Sequence, residues 1–350
     1  MFYTIWIVFG VFFSTVSYFP LINSTHWIFR IFDFIRLQLS VILLLHLIVA
    51  PFLSGIISII GLLTIVLITI TFIYQLLIIL PYLPRIKKNN TVLKRSIVVI
   101  SINVKQENKD YEKLIRIVKN IKPDILLTME TDIKWEQNLE KIEGDFNTII
   151  RVPKSNRYGM HLYTKLELKH AKVHHLISKK HPSIEVKLTD SEKNDFIFWG
   201  VHPPPPSPTE KPTSKQKDAE LMKIAKQTRE STIPVIVSGD FNSVSWSKTS
   251  KLFSKISNLK DARINRGIYS TFPANLRGFG FPIDLLFHSN AVTVDKIKIL
   301  SSIGSDHLPL LFMYHINNKE ESDKKLNSNL KRLANQKILE GKEAAKDENG

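Results

Sequence analysis

The chain has 350 residues, no cysteine and a formal net charge of +16 at pH 7. A lack of cysteine excludes disulfides, thiolate-held metals and a cysteine nucleophile. The positive balance suits anionic partners such as nucleic acid or phospholipid headgroups, without choosing between them.

That charge is unevenly spread. Within residues 1–84 the charged side chains are Arg30, Asp33 and Arg36, and residues 37–80 carry none. About 20 apolar residues span a bilayer. Residues 1–84 are therefore expected to form a transmembrane region of three helices, at about 2–19, 37–57 and 59–80, with a turn near Ala50-Pro51 or Ser54-Gly55. A cleaved signal peptide is the rival reading of residues 1–19. Phe2-Tyr3-Thr4 offers no basic leader, however, and no small-residue cleavage pattern follows. His46, inside the second run, is read as a neutral histidine bonded to a neighbouring helix rather than as part of an ion path. Arg85, Lys87, Lys88, Lys94 and Arg95 make residues 85–95 a basic linker. Such a flank favours the cytoplasmic side, but large domains are translocated regardless, so the side of the soluble domain stays open.

Beyond the linker, the β-branched run at residues 96–102 predicts a buried strand. Tyr111, Leu114, Ile115 and Val118 then recur at helical spacing over residues 110–120, and Lys122-Pro123-Asp124 ends that helix. Residues 125–129 predict a second buried strand, and a strand–helix–strand unit of this kind predicts parallel pairing. Further short strands are expected at 159–163, 184–188, 196–201, 235–238, 283–288 and 308–314, with a helix at 218–227. Many strands with few helices outside them predict an α/β domain over 96–316, a two-layer β-sandwich flanked by helices and preceded by the transmembrane helices. Residues 317–350, rich in Lys, Glu, Asn and Asp, predict a charged, mainly disordered tail, with a short helix around 326–339 as the alternative.

Polar residues with catalytic potential recur where these strands begin or end. Asn103 and Glu130 follow the first two, His202 follows 196–201, and Gly239-Asp240-Phe241-Asn242 follows 235–238. In an extended chain, residues two apart share a face, so Asp240 and Asn242 can converge on one ligand. Asp284 lies in the run 281–286, and Asp306-His307 precede the last strand. Magnesium takes oxygen ligands and commonly uses one or two carboxylates plus substrate phosphate, which Glu130 and Asn103 fit. There is no zinc-type histidine pair and no Gly-rich loop ending in Lys-Ser or Lys-Thr, against a zinc protease or nucleotide-driven transport. Phosphoester hydrolysis needs an oriented water, a base and cationic groups, and Asp240, Asn242, His202 and His307 offer these with a metal.

The order Ser101-Ile102-Asn103-Val104, Glu130, Gly239-Asp240-Phe241-Asn242, Ile283-Asp284 and Gly304-Ser305-Asp306-His307-Leu308-Pro309 resembles the endonuclease/exonuclease/phosphatase superfamily of deoxyribonuclease I-like enzymes. The resemblance implies Glu130 as main metal ligand, Asn103 contacting metal or phosphate, and Asp306 as a nearby carboxylate in the metal site. It further implies Asp240 as the residue that orients or deprotonates water, Asn242 holding phosphate, and His307 contacting the phosphoryl oxygen with Asp284 fixing its tautomer. His202 resembles a mid-chain histidine that assists the leaving group. The implied cofactor is Mg2+, or Mn2+. Pairing of the proline run Pro203–Pro206 with an N-terminal hydrophobic region, and Arg157-Tyr158-Gly159-Met160, are similar to membrane-anchored bacterial members, implying an integral protein of the bacterial inner membrane.

Several residues take a plainer reading. The proline run has an alternative as a ligand for a partner domain. His161, His170, His174, His175 and His181 are read as solvated or packing histidines, and Trp135 and Trp246 as either groove or packing residues. The expected function is a membrane-anchored, Mg-dependent, nuclease-like phosphodiester hydrolase. A phospholipid or phosphoinositide phosphodiesterase or phosphatase is the alternative, and a non-catalytic membrane scaffold the third reading. Expected partners are the lipid bilayer and an anionic phosphoester, either nucleic acid or phospholipid headgroup.

Overall fold

The computed structural model describes residues 1–85, 95–276, 278–317 and 326–346. Residues 86–94, most of the expected basic linker, lie outside the described residues. So do 318–325 and 347–350 of the tail.

The apolar first region folds as helices α1 (Phe2–Ser17), α2 (Trp27–Phe34), α3 (Arg36–Val49) and α4 (Ile59–Ile79). Two stretches, Phe2–Leu21 and Ile59–Tyr82, are long and apolar enough to cross a membrane. The segment expected as a helix at 37–57 stops at Val49, where Pro51 and then Gly55, at φ +89°, break the repeat. It passes the same test only jointly with α2, across a bend of 67°. Trp6, Leu43 and Ile68 pack between α1, α3 and α4, while Phe9, Leu45, Leu63 and Leu77 face outward. Arg36 ties the bundle together, with Nε 3.1 Å from Asp33 Oδ1 and Nη1 2.7 Å from Gln75 Oε1 on α4. The His46 ring, expected to bond to a neighbouring helix, instead has Nδ1 3.0 Å from the Ile42 carbonyl one turn back on its own helix.

The rest forms two six-stranded sheets with helices outside. In chain order its elements are β1 (Ile97–Asn103), α5 (Tyr111–Ile121), β2 (Ile125–Met129), α6 (Ile133–Glu143), β3 (Thr148–Val152), β4 (Met160–Thr164), β5 (Glu167–His174), β6 (Ser183–Thr189) and β7 (Asp195–Val201). There follow α7 (Lys215–Arg229), β8 (Val235–Asp240), α8 (Lys248–Ser257), β9 (Lys260–Asp261), β10 (Asp284–His288), β11 (Val292–Ile299), β12 (Leu310–Ile316) and α9 (Ser328–Lys346). One sheet runs β11-β12-β1-β2-β4-β3 and the other β5-β6-β7-β8-β10-β9. As expected, β1 pairs parallel with β2, Val99 opposite Ile125; β7 and β8 form the matching parallel pair of the second sheet. These central strands are buried on both faces, which is why they read as unbroken apolar runs.

Val99, Leu127 and Leu162 of one sheet meet Val186, Phe198 and Ile236 of the other in the inner layer. Helices α5 and α6 cover the first sheet with Leu114, Val118 and Trp135; α7 and α8 cover the second with Leu221 and Phe253. Trp135 is thus a packing residue, as is Trp246, whose indole donates to the Asp33 carbonyl at 2.7 Å. With Tyr82, Val244 and Ile283, Trp246 seats the sandwich on the helical bundle beside Phe34 and Leu37.

Within the tail, the short helix offered as the alternative forms and runs on to Lys346 as α9, in place of the expected disorder. Its few apolar and small residues, Leu330, Ala334, Ile338, Gly341 and Ala345, recur at helical spacing, so α9 lays one face on α7. A Cβ on Gly341 would lie 2.2 Å from that of Ala219, and Lys337 Nζ reaches Asp218 Oδ2 at 3.0 Å. Averaged composition hid a narrow but periodic stripe.

Glu220 on α7 is fully buried, accepting one bond from Ser183 Oγ at 2.7 Å while its other oxygen has no hydrogen-bond partner among the described residues. Burial pushes its carboxyl up to about 7. A folded-state pKa above the usual value of 4.5 means the favourable, protonated form is complete below that pH and lost as pH rises through about 7. Glu220→Gln is accordingly expected to stabilise the protein above pH 7 by about 3 kcal/mol, with little change below pH 4.5. Denaturant titrations at pH 4.5 and 8 check this; an equal effect at both would refute it.

Candidate active site

Strand polarity gathers the site. The parallel strands β1, β2, β7 and β8 end at one edge, delivering Asn103, Glu130, His202 and Asp240 there. Antiparallel β10 starts at that edge, with Asp284 directly opposite Asp240, and His307 lies just before antiparallel β12. Residues far apart in sequence therefore meet around a cavity of about 640 Å3. All eight residues singled out above gather here, and Asn103, Glu130, His202, Asp240, Asn242, Asp306 and His307 line the cavity itself. Asp284 stands behind His307, its Oδ2 2.9 Å from Nδ1.

Glu130 sits at φ +63° just past β2, a turn that aims its carboxylate back across the strand ends. Its Oε1 accepts from Asn103 Nδ2 at 2.8 Å and its Oε2 from the Gln106 amide at 3.3 Å. The Asn103 amide also lies 3.3 Å from Asp240 Oδ2, linking the two carboxylates. Burial pushes the Glu130 carboxyl up, against the Asn103 hydrogen bond. Asp306, more exposed, meets Lys105 Nζ at 3.4 Å.

Asp240 lies between two histidines, with Oδ2 3.7 Å from His202 Nε2 and 3.6 Å from His307 Nε2. Its Oδ1 accepts from the Asn242 amide at 2.8 Å, the local turn expected after a strand. Burial raises its carboxyl, only partly offset by His307, so Asp240 is a stronger base than a surface aspartate. The two histidines diverge. Burial holds His202 down despite Asp240, leaving it neutral. Burial opposes the charge on His307 as well, but Asp284 and Asp240 outweigh it and hold the ring up at about 10, so it is an imidazolium.

Other residues support this corner. Asn242 Nδ2 donates to the Pro203 carbonyl at 3.0 Å, and Pro205, Pro206 and Pro208 line the cavity, so the proline run is a wall of the site. Lys217 donates to the Asn242 carbonyl at 2.8 Å; burial lowers it to about 8, with Asp218 pulling the other way. Tyr158 packs between His181 and His202, ring centroids 4.2 and 5.2 Å away, and bonds to Glu210. His161 and His174 are packing histidines, bonded to Tyr163 and Glu185. What motif reading missed is the contribution of α2, whose Trp27, Arg30, Ile31 and Phe34 line the same cavity. The signal was present: Arg30, Asp33 and Arg36 are spaced three apart in an otherwise uncharged region.

Glu130, Asn103 and Asp306 line one side of the cavity with oxygen-bearing side chains of the kind a hard divalent cation takes; Asn103 turns its NH2 to Glu130 and Asp240 while its Oδ1 accepts from the Lys105 amide at 3.0 Å. Ligand atoms of Asp240, Asp284 and His307 also lie within 4.8 Å of one another. There the imidazole is already held by Asp284 and protonated, so a cation would have to displace that proton. An acidic and amide cluster on one side and a buried carboxylate beside an anchored imidazolium on the other suit phosphoester cleavage, and the fold presenting them is that of a metal-dependent phosphoesterase. A model of the Endonuclease/Exonuclease/phosphatase family matches residues 100–307, and the chain belongs to that family.

Among solved structures, the fold is similar to an endonuclease/exonuclease/phosphatase from Bacteroides vulgatus, with TM-score 0.54 and 17% identity over 64% of this chain and 100% of that one. It is similar to the human Nocturnin catalytic domain, with TM-score 0.50 and 19% identity over 64% of this chain and 96% of that one. It is also similar to D. rerio TDP2 complexed with single strand DNA product, with TM-score 0.51 and 12% identity over 63% of this chain and 100% of that one. No curated protein matches the chain.

Proposed function

We propose that the chain is a membrane-anchored, Mg2+-dependent phosphodiester hydrolase that uses a water oriented by Asp240. The observation that carries this is the placement of Asp240, buried and of raised basicity, within reach of a neutral and a charged histidine and linked through Asn103 to Glu130. Glu130, Asn103 and Asp306 would hold Mg2+, with Mn2+ as a substitute, and a bound divalent cation polarises a phosphoryl oxygen and neutralises developing charge. Asp240 takes a proton from the attacking water, and Asn242 steers that carboxylate and the phosphate. His307, kept protonated by Asp284, donates to a phosphoryl oxygen, and His202 faces the leaving group. Lys105, Arg157 and Arg30 around the cavity suit an anionic substrate. Helices α1 and α4 supply the anchor in a bilayer.

A chelator tests the cation dependence. Full-length protein in detergent is expected to hydrolyse bis(p-nitrophenyl) phosphate with Mg2+, to fall to background in EDTA, and to recover with Mg2+ or Mn2+. Hydrolysis unchanged by EDTA would sink the proposal. A second reading, cleavage of a nucleic acid strand, draws on the DNA product bound by D. rerio TDP2 and on the net charge of +16.

A further inference from the structure

The helix that closes the catalytic cavity comes from the apolar N-terminal region. Trp27, Arg30, Ile31, Phe34 and Ile35, at helical spacing along one face of α2 and its C-terminal end, line the cavity that also holds Asn103, Glu130, Asp240 and His307. This helix is fixed in place from both sides. The Trp27 amide donates to the Pro212 carbonyl at 3.0 Å, and the Ser214 amide to the Thr25 carbonyl at 2.8 Å. At the other end Asp33 binds Arg36, which in turn reaches Gln75 on α4.

A second element joins the same two regions. Phe272 and Phe281 line the catalytic cavity, and Phe281 meets Phe34 edge-on with centroids 5.6 Å apart. Between them the chain runs out to α3, where Gln38 Nε2 donates to the Phe279 carbonyl at 2.5 Å. There Leu276 and Phe279 are 51% and 63% exposed, beside a second cavity lined by Leu37, Val41 and Leu300. Apolar side chains left in water at the level of helices suited to a bilayer are stabilised by insertion among lipid tails.

Resting on the phosphodiesterase reading above, we infer that the substrate is a membrane phospholipid, reached from the bilayer between α2 and the 272–281 loop. Arg30 pairs with its anionic group, and Ile31, Phe34 and Phe281 receive its apolar part. Arg30 lines the cavity, and its Nε has no hydrogen-bond partner among the described residues although Asp33 and Asp218 lie within electrostatic reach, so its guanidinium keeps hydrogen-bonding capacity for an anion. The continuity of this apolar wall with the membrane helices favours a lipid over a nucleic acid. Hydrolysis consumes one water: its oxygen forms a new bond to phosphorus, the ester P–O bond breaks, and the released alcohol takes the proton, leaving a phosphomonoester.

Full-length protein in phosphatidylcholine nanodiscs, doped in turn with phosphatidylglycerol, phosphatidylinositol or sphingomyelin, is the test. Bis(p-nitrophenyl) phosphate and a single-stranded oligonucleotide serve as parallel substrates. With Mg2+, one of the lipids is expected to turn over faster than the oligonucleotide. In the double variant L276D/F279D, kcat/KM on that lipid should fall at least about tenfold further than on the small ester, as disruption of lipid access requires. Arg30→Gln should raise KM for the lipid about tenfold, and Arg30→Lys should recover part of it. Turnover of the small ester without any lipid, or faster cleavage of the oligonucleotide, overturns the inference and leaves the phosphodiesterase reading standing. Equal losses on both substrates in L276D/F279D also overturn it. Turnover of none of them removes the phosphodiesterase reading and this inference together.

Discussion

Glu130→Gln and His307→Gln are each expected to lower kcat on bis(p-nitrophenyl) phosphate about a thousandfold, or about 4 kcal/mol of transition-state stabilisation. Their effects on stability should run in opposite directions. Glu130 is buried with its carboxyl pushed up, so its ionised form destabilises the cation-free protein at neutral pH and the amide relieves this. The Tm of cation-free Glu130→Gln should therefore equal or exceed that of the parent. His307 is the reverse case. A ring held up at about 10 by Asp284 and Asp240 contributes stability that is complete below the usual histidine value of 6.5 and lost as pH rises through 10. Removing its charge leaves those two carboxylates buried without it, so His307→Gln should lose more Tm at pH 6 than at pH 10. Activity retained within about tenfold in either variant would remove that residue from the catalytic scheme.

Gly239→Ala is expected to carry a large structural cost. Gly239 has φ +145°, a conformation that L side chains rarely adopt, and a Cβ there would sit 2.0 Å from the Val201 carbonyl of the neighbouring strand. Neither β7 nor β8 can move aside, because each is buried on both faces in a close-packed interior. A loss of about 4 kcal/mol follows, which for a domain of this size lowers Tm by about 10 °C. Activity should fall with it, since Asp240 is the next residue. Ser at the same position should be no better, as it too carries a Cβ. An unchanged Tm in Gly239→Ala would show that the backbone at this strand end can rearrange.

The catalytic edge was legible because its signals are short and local. Each of Asn103, Glu130, Asp240 and His307 adjoins a strand that is buried on both faces and therefore unmistakably apolar. Peripheral elements were not legible in the same way. Strands β5 and β11 alternate exposed and buried positions and carry Lys and Glu or Asp on the open face, so they lack the dense run that marks the centre. Helices α6 and α8 are short, and their signals, an Asp132 or Ser247 cap followed by Trp135, Leu139 and Ile142 or Leu252, Phe253 and Ile256 at helical spacing, are spread thinly among polar residues. In the tail, an average over many charged residues concealed the stripe that seats α9.

By itself the amino-acid order determined the apolar N-terminal region, the two-sheet sandwich and the eight polar residues that meet at one sheet edge, because hydrophobic period and strand-end chemistry are local properties of the chain. Only the tertiary structure decided that His202 is neutral while His307 is charged, since burial and the approach of Asp284 and Asp240 set those states. Tertiary structure alone, likewise, brought α2 over the cavity. Arg30 lies far from Asp240 in sequence and reaches its cavity only because the bundle seats the sandwich through Tyr82 and Trp246.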